Sequence, residues 1–444
     1  MAFPTFRGGV HPNPSKELTK NIAIEQAVQP DVMYVPLSMH IGAPAVCKVK
    51  RGDEVKMGQL IGESGGFVSA NIHSSVSGKV KEIKKMPVVG GALVNCVVIE
   101  NDKQDTVCEG IKPYGTVDEL DGPRLLEIVK EIGLVGMGGA TFPTHVKLTP
   151  PKDKPVDTVI LNGAECEPFL TADHRLMLEE TEDVVNGLRA IMKILNVGKG
   201  YIGIEDNKPE CIAKVKEVCA KYSNIEVIAL KTKYPQGAEK QLIYVVTGKE
   251  VPSGGLPADA GAVVDNVATA AQISRSLRTG LPLIDRICTV TGGAVAQPKN
   301  LRIKTGSLYS DIINLNCGGF KEPVFKLISG GPMMGIAVQD ANIPSNKGTS
   351  GLLCFTEKEA YIPPTQNCIR CGRCVEICPA SLEPVYIATY TNKGLLEKAE
   401  EYNALDCIEC GSCSFICPSK RPLVQMIRVA KRAIQAQRRK QSKK

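Results

Sequence analysis

Residues 368–379 read CIRCGRCVEICP, and residues 407–418 read CIECGSCSFICP. Both follow one pattern, C-x2-C-x2-C-x3-C-P: Cys368, Cys371, Cys374 and Cys378 before Pro379, then Cys407, Cys410, Cys413 and Cys417 before Pro418. With this spacing one loop caps three irons of a 4Fe–4S cubane, because the close steps keep three thiolates on one side of the backbone. In two-cluster proteins built this way the fourth cysteine of each run ligates the other cluster. One cluster would then use Cys368, Cys371, Cys374 and Cys417. The other would use Cys407, Cys410, Cys413 and Cys378. Zinc is the alternative, but a structural zinc site takes four ligands as two C-x2-C pairs or with His. Four cysteines per run, a repeat and a trailing Pro fit it poorly. Between the runs, Leu395 to Tyr402 is expected to be a helix. Two clusters a short hop apart make an electron wire, which needs a donor and an acceptor.

The remainder of the 444 residues is ordinary globular material: 43% hydrophobic and 23% charged, with no Trp. This excludes global disorder and leaves apolar residues for several cores. The net charge of +7 is concentrated at one end, since Lys420 to Lys444 hold ten Lys or Arg and no acid. The rest is slightly negative, so no nucleic-acid-binding face is expected. No secretory h-region opens the chain, and no run of 18 apolar residues occurs, so a soluble or peripheral protein is expected. Of 17 cysteines, nine lie singly outside the two runs. That distribution points to a reducing compartment with a metal site rather than a disulfide scaffold. The nine are read as small buried hydrophobes.

Organisation along the chain follows from periodicity. Val46 to Val49, Gln59 to Gly62, Gly78 to Ile83 and Val94 to Ile99 are β-like runs between turn residues. From Asp118 helical spacing begins, with Asp118 and Asp121 as N-cap candidates. Strands at Thr158 to Leu161, Tyr201 to Ile204 and Ile225 to Leu230 alternate with helices between Asp173 and Leu195 and over Pro209 to Tyr222. This alternation means an open α/β sheet. Ile287 to Thr291, Ile312 to Leu315 and Val324 to Ile328 return to short strands. The last stretch carries an apolar stripe at Leu423, Ile427, Ala430 and Ile434 amid Arg428, Lys431, Arg432, Arg438, Arg439 and Lys440. It reads as a basic amphipathic helix, packed on the cluster domain or on a membrane surface. Its end, QRRKQSKK, has no apolar anchor and can act only electrostatically.

Two loops carry candidate binding chemistry. Gly136-Met137-Gly138-Gly139-Ala140-Thr141-Phe142-Pro143-Thr144, with Lys147 beyond, is neither a Walker A nor a G-x-G-x-x-G loop. Its small residues suit backbone N–H groups approaching a phosphate, and a turn needing positive φ would look the same. The strand Thr158 to Leu161 runs into Asn162-Gly163-Ala164-Glu165-Cys166-Glu167-Pro168. Ligands of open α/β sheets sit beyond the carboxyl ends of strands, where two acids and an amide can hold hydroxyls or a flavin edge.

These pieces resemble known families. GDEVKMGQLIGESGGFVSANIHSSVSGKVKEI, residues 52–83, is similar to the barrel-sandwich fold of biotinyl and lipoyl carriers. It lacks the modified Lys at its tip, Ser69 to His73, so a packing role is expected, with His73 a satisfied surface or turn histidine. GMGGATFPTHVK (136–147) and LNGAECEPFLTADHR (161–175), followed by Tyr234 to Glu239 and Asp265 to Thr269, resemble in order the flavin- and NADH-binding subunit of respiratory complex I. Met137, Thr141 and Ala238-Glu239 depart from that family's Arg, Gly and Glu pair. Nearly the whole chain resembles the C subunit of Rnf-type ferredoxin:NAD+ oxidoreductases. The matching order is TFRGGVHP (5–12), the glycine loop, VPSGGLPADAG (251–261), TVTGGAV (289–295), ISGGPMMG (328–335) and the cysteine runs.

The resemblance implies an α/β multidomain chain. A barrel-sandwich hybrid β-domain is expected over 1–116, a Rossmann-like FMN- and NADH-binding α/β domain over 117–283, and a β-grasp, soluble-ligand-binding domain over 284–355. A ferredoxin-like α-helical domain with two 4Fe–4S clusters would follow over 356–422, then the basic helix and tail over 423–444. It implies FMN, NAD(H) as substrate, and a peripheral place at the cytoplasmic face of the cell membrane, among other subunits of a complex moving Na+ or H+. Gly136, Gly138, Gly139 and Lys147 would serve the flavin phosphate. Asn162, Glu165, Gly237, Asn266 and Thr269 would serve the flavin, and Phe142, Glu167 and Glu239 the nicotinamide. No catalytic acid or base is expected. The rival readings are an NADH-oxidising module of a soluble hydrogenase or bifurcating complex, and a non-catalytic iron–sulfur relay.

Overall fold

The computed structural model describes residues 3–441. The N-terminal β-body stacks two small sheets. One orders Val32–Pro36, Leu93–Asn101, Gly78–Pro87 and Glu54–Val55; the other orders Val46–Cys47, Leu60–Glu63 and Ile72–His73. Met33, Val35, Ile61, Ile72, Val80, Val97 and Ile99 fill the space between them. Alternation along each strand sends these side chains to one face. His73, expected as a satisfied surface or turn histidine, is instead buried; its Nδ1 meets no hydrogen-bond partner among the described residues, and burial holds its imidazole down, to about 3. The hairpin tip is a rivet. The Asn71 carbonyl accepts from Lys347 Nζ at 2.6 Å, while Asn71 Nδ2 donates to the Glu131 carbonyl at 3.2 Å.

The central body is a four-stranded, all-parallel sheet. Its spatial order is Ile225–Leu230, Gly200–Glu205, Thr158–Gly163, Ala262–Asn266. Alternate residues of the strand Thr158–Gly163 serve opposite faces. Val159 and Leu161 join a core built with helices Gly122–Glu131, Thr181–Leu195 and Val267–Thr279, while Ile160 packs with Leu242 and Ile243 of helix Glu239–Thr247. Both faces are therefore covered, as an all-parallel sheet requires. Strand order reverses between Thr158–Gly163 and Ala262–Asn266, so a crevice opens at their carboxyl ends. Asp121 caps helix Gly122–Glu131 by accepting from the Arg124 N–H at 2.8 Å, whereas Asp118 pairs with Arg189. The helix expected between Asp173 and Leu195 is two, Ala172–Glu179 and Thr181–Leu195.

A six-stranded sheet follows, in the order Ile24–Gln26, Lys299–Lys304, Asp285–Thr291, Gly351–Phe355, Lys326–Ser329, Ile336–Val338. Its first strand comes from the N-terminus, so the division at residue 116 does not hold for the opening segment. Ile312 to Leu315 is helical, within Tyr309–Asn316, and not a strand. Tyr309, Ile312 and Ile313 are buried at helical spacing, but the run is too brief to show that period in the sequence.

The C-terminal body is helical: Arg373–Glu376, Pro384–Asn392, Leu396–Glu401, Ser412–Ile416 and Leu423–Gln441. Ile427, Ala430 and Ile434 of the last helix pack with Leu382, Ile387, Ala399 and Ala404. The apolar stripe is thus spent on the cluster body, and the division at residue 422 cuts a single core. Residues 442–444 of the basic end lie outside the described residues. Among the described residues no helix is long and apolar enough to cross a membrane.

Candidate flavin and iron–sulfur site

Seven of the eight run cysteines sort into two groups, and the groups cross the runs. Cys374 has Cys368 and Cys417 as electrostatic neighbours. Cys378 instead neighbours Cys410 and lies close to both Cys407 and Cys413. Cys378, Cys407, Cys410 and Cys413 line one small cavity, walled by Leu382, Pro384, Ile408, Val424 and Ile427. Among the described residues no three Cys, His, Asp or Glu converge closely enough to hold a single metal ion. Burial pushes the Cys407 thiol up, to about 11, against the pull of the Glu409 N–H and of Lys431, and a bound metal would hold it as thiolate. The residues fit the cluster that their spacing implies.

The two groups differ in exposure. Cys368 and Cys371 lie on the surface in a stretch without regular structure, whereas Cys410 and Cys413 are buried. Cations of the last helix hold the buried group's loop. Lys431 Nζ donates to the Cys407 carbonyl at 2.5 Å and pairs with Glu409 at 2.9 Å, and Arg428 pairs with Glu409 at 3.0 Å. Two of the six basic residues of the amphipathic helix, Arg428 and Lys431, are thus turned toward the cluster body.

The glycine loop lies over the sheet's crevice. Gly136 N–H donates to the Phe142 carbonyl at 2.8 Å and closes the turn, leaving Phe142 half-buried beside it. Met137 N–H donates to Thr269 Oγ1 at 2.9 Å. Among the described residues the N–H groups of Gly138, Gly139 and Ala140 meet no acceptor. Gly139 has φ +122°, and a Cβ there would meet nothing within 4 Å. Gly138 faces Asn266, whose side chain caps helix Val267–Thr279 by accepting from Ala268 N–H at 2.8 Å and donates to Asp173 at 2.7 Å. A row of unspent donors beside a helix N-terminus fits a phosphate.

Lys147 is placed differently from its expected role. Its ammonium pairs with Glu239 at 2.9 Å, approaches Asp265 at 3.8 Å and donates to the Val264 carbonyl. Burial opposes its charge, but Asp265 and Glu239 outweigh burial and raise its pKa. Both oxygens of the buried Asp265 carboxylate lack a hydrogen-bond partner, and burial lifts its pKa to about 6.

The acidic turn is locked by buried charge. Glu165 accepts from the N–H groups of Asp173 and His174 at 2.7 and 3.2 Å, at the start of helix Ala172–Glu179. Lys16, buried like it, stands 3.7 Å away. Burial pushes the Glu165 carboxyl up and the Lys16 ammonium down, each against the pull of the other. Lys16 Nζ also donates to the carbonyls of Glu165, Glu167 and Leu170, at 2.9, 3.1 and 2.5 Å. The Glu167 carboxylate accepts from Met333 and Met334 N–H groups at 3.0 and 2.8 Å, in the ISGGPMMG turn. Two residues read as flavin and nicotinamide contacts, Glu165 and Glu167, therefore have carboxylates engaged by the fold. Asn162 Nδ2 donates to the Gly237 carbonyl at 2.7 Å, and Gly237 N–H donates to Cys166 Sγ at 3.4 Å.

One side chain links this turn to the buried cysteines. Tyr234 is 1% exposed, and its hydroxyl donates to the Cys410 carbonyl at 2.7 Å. It packs with Val10, Cys166, Met333 and Ile408. Tyr234 opens the segment running to Glu239, but nothing local marks it as the contact. Lys16 carries no sequence signal at all.

Comparison with known proteins accounts for the same segments. Family profiles match residues 4–104 (RnfC barrel sandwich hybrid domain), 129–275 (Nuo51 FMN-binding domain), 287–337 (SLBB domain) and 361–434 (4Fe-4S dicluster domain). The chain is 53% identical over 98% of its length, and 98% of the relative's, to the C subunit of the Na(+)-translocating ferredoxin:NAD(+) oxidoreductase complex of Acetobacterium woodii. It is 54% identical over 96% of its length, and 93% of the relative's, to the C subunit of the proton-translocating complex of Clostridium ljungdahlii. A chain of an NAD+-reducing [NiFe]-hydrogenase aligns at TM-score 0.49 and 19% identity, over 66% of this chain and 56% of that one. The protein belongs to the family of C subunits of the ion-translocating ferredoxin:NAD+ oxidoreductase complexes.

Proposed function

We propose that this chain exchanges electrons between NAD(H), FMN and two 4Fe–4S clusters, as a peripheral subunit of an ion-translocating membrane complex. The single observation that carries this reading is the bond from Tyr234 to the Cys410 carbonyl, which seats the buried cysteine group against the acidic turn. The flavin, when bound, converts the paired electrons of a hydride into the single electrons that a cubane accepts. Every other contribution comes from the chain.

Gly138 and Gly139 offer backbone donors to the flavin phosphate, with Gly136 shaping the loop. Asn266 and Thr269 hold that loop over the crevice. Asn162 and Gly237 tie the acidic turn to the Tyr234 loop, while Glu165 and Glu167 fix the turn's backbone. Phe142 and the Lys147–Glu239 pair border the mouth, where the nicotinamide nucleotide enters. The body around them is Rossmann-like, the six-stranded body is β-grasp-like, and the last body is ferredoxin-like. Cys378, Cys407, Cys410 and Cys413 would hold the cluster nearer the flavin and take up its single electrons. Cys368, Cys371, Cys374 and Cys417 would hold the second cluster, whose surface position suits electron exchange with a partner protein of the complex. The basic residues beyond Ile434 give an electrostatic attraction to anionic headgroups at the cytoplasmic face, on the order of 1 kcal/mol for each nearby cation.

The test is anaerobic purification with assays of flavin, iron and sulfide, followed by NADH addition. Flavin bleaching and then cluster reduction are expected. Zinc in place of iron, or a flavin that NADH leaves oxidised, overturns the reading.

A further inference from the structure

Residues 3–16 belong to no body of their own. From Pro4 onward they run as a strap across the junction between the central sheet and the cluster body. Pro4 accepts from Lys231 N–H at 3.1 Å, and Phe6 from Lys233 Nζ at 2.7 Å. Gly9 N–H donates to the Ile377 carbonyl at 2.8 Å, in the cluster body. Val10 and Tyr234 exchange both backbone bonds, at 2.8 and 2.9 Å, on the central body. Pro14 accepts from Phe169 N–H at 2.8 Å, and Lys16 ends the strap beneath the acidic turn.

The closest approach is at the glycine pair. Gly8 and Gly9 both have positive φ, +82° and +80°. A Cβ on Gly8 would stand 2.8 Å from the Ile377 oxygen and 3.1 Å from that of Cys378. A Cβ on Gly9 would stand 2.6 Å from the Tyr234 oxygen. The first glycine faces the loop of a cluster ligand, and the second faces the loop whose tyrosine touches Cys410. Both neighbours are backbone, which cannot swing aside as a side chain would. Only a strap without side chains at these two positions lets the bodies close to the observed distance.

We propose that the N-terminal strap, residues 4–16, sets the separation between the flavin cradle and the buried cluster, with Gly8 and Gly9 as its positioning residues. This rests on the electron route proposed above. A side chain at either glycine pushes the bodies apart without touching flavin, nicotinamide or thiolate.

The test compares the full-length, cofactor-loaded protein with Gly8→Val and Gly9→Val. Gly52→Val is the control, since Gly52 also has positive φ but a Cβ there meets nothing within 4 Å. Flavin content and NADH bleaching of the flavin should match the parent in all three. Freeze-quenched cluster reduction should slow severalfold in the two strap variants only, because electron transfer between separated centres falls steeply as their distance grows. Backbone amide exchange should rise in residues 407–416 and 234–237 of the strap variants and stay unchanged in the control. Gly8→Ala, a smaller intrusion, should give a weaker version of both effects. Parental rates and exchange in both valine variants, or equal slowing in Gly52→Val, overturn the proposal. If NADH fails to bleach the parent's flavin, the electron route fails instead, and amide exchange alone still decides the role of the strap.

Discussion

The Tyr234 hydroxyl donates to the carbonyl of Cys410, and that bond is buried. The dipole points its positive end at the cysteine loop, where it favours the reduced, more negative cluster. Tyr234→Phe keeps the ring and removes the donor. About 1 kcal/mol of lost stabilisation corresponds to about 40 mV for one electron, so the buried cluster's midpoint should fall by roughly that amount. A redox titration followed by electron paramagnetic resonance checks this, and an unchanged midpoint would show that the tyrosine only packs.

Cys378→Ala distinguishes crossed from in-run ligation. Cys378 shares its cavity with Cys407, Cys410 and Cys413, so the signal of that cluster should be lost or converted. The signal assigned to Cys368, Cys371 and Cys374 should persist. Damage confined to the first run would mean that each run ligates its own cluster.

Gly139→Val tests the cradle. The loop should still fold, because a Cβ there meets nothing within 4 Å and the backbone strain costs only about 1–3 kcal/mol. A branched side chain would fill the space that a phosphate needs. Flavin released on denaturation should drop severalfold per chain with iron unchanged. Gly90→Val, also at positive φ with nothing nearby, should retain its flavin.

Lys347 predicts a pH dependence of stability. Its ammonium is buried and donates to the carbonyls of Asn71 and Gly133 at 2.6 and 2.7 Å, and burial lowers its pKa to about 7. A lysine with a depressed folded pKa binds fewer protons folded than unfolded between that value and about 10.4. Stability therefore rises with pH across this window, by at most about 1.4 kcal/mol per unit for this one group. Lys347→Met should flatten that slope relative to the parent. Denaturant midpoints of the first unfolding transition from pH 7 to pH 9 provide the measurement, and parallel slopes would remove Lys347 as the source.

The two cysteine runs were legible because iron chemistry demands such close spacing, C-x2-C-x2-C-x3-C-P, within a dozen residues. The strand near Val159 was legible because Val159, Ile160 and Leu161 form the continuous buried apolar run of a parallel strand covered on both faces. Tyr309–Asn316 was misread because two turns of helix show too little period. Pro384–Asn392 was not anticipated, since Val385, Tyr386, Ile387 and Thr389 favour strands locally and packing decides otherwise. The buried charges at Lys16, Glu165 and Glu167 join residues some 150 positions apart, so no local pattern encodes their pairing. The same holds for the rivet at Lys347 and Asn71.

The surface position of Cys368 and Cys371 should also govern how the cluster-loaded protein survives handling in air. Dioxygen reaches a cubane through its exposed edge, and solvent exposure differs sharply between the two cysteine groups. Air should strip iron first from the group nearest the surface and spare the one walled by Leu382, Val424 and Ile427. Protein purified under oxygen would then hold about half its iron, still accept electrons from the flavin, and have no route onward. Such a preparation would look like a one-cluster flavoprotein, and its iron count would record exposure history rather than design.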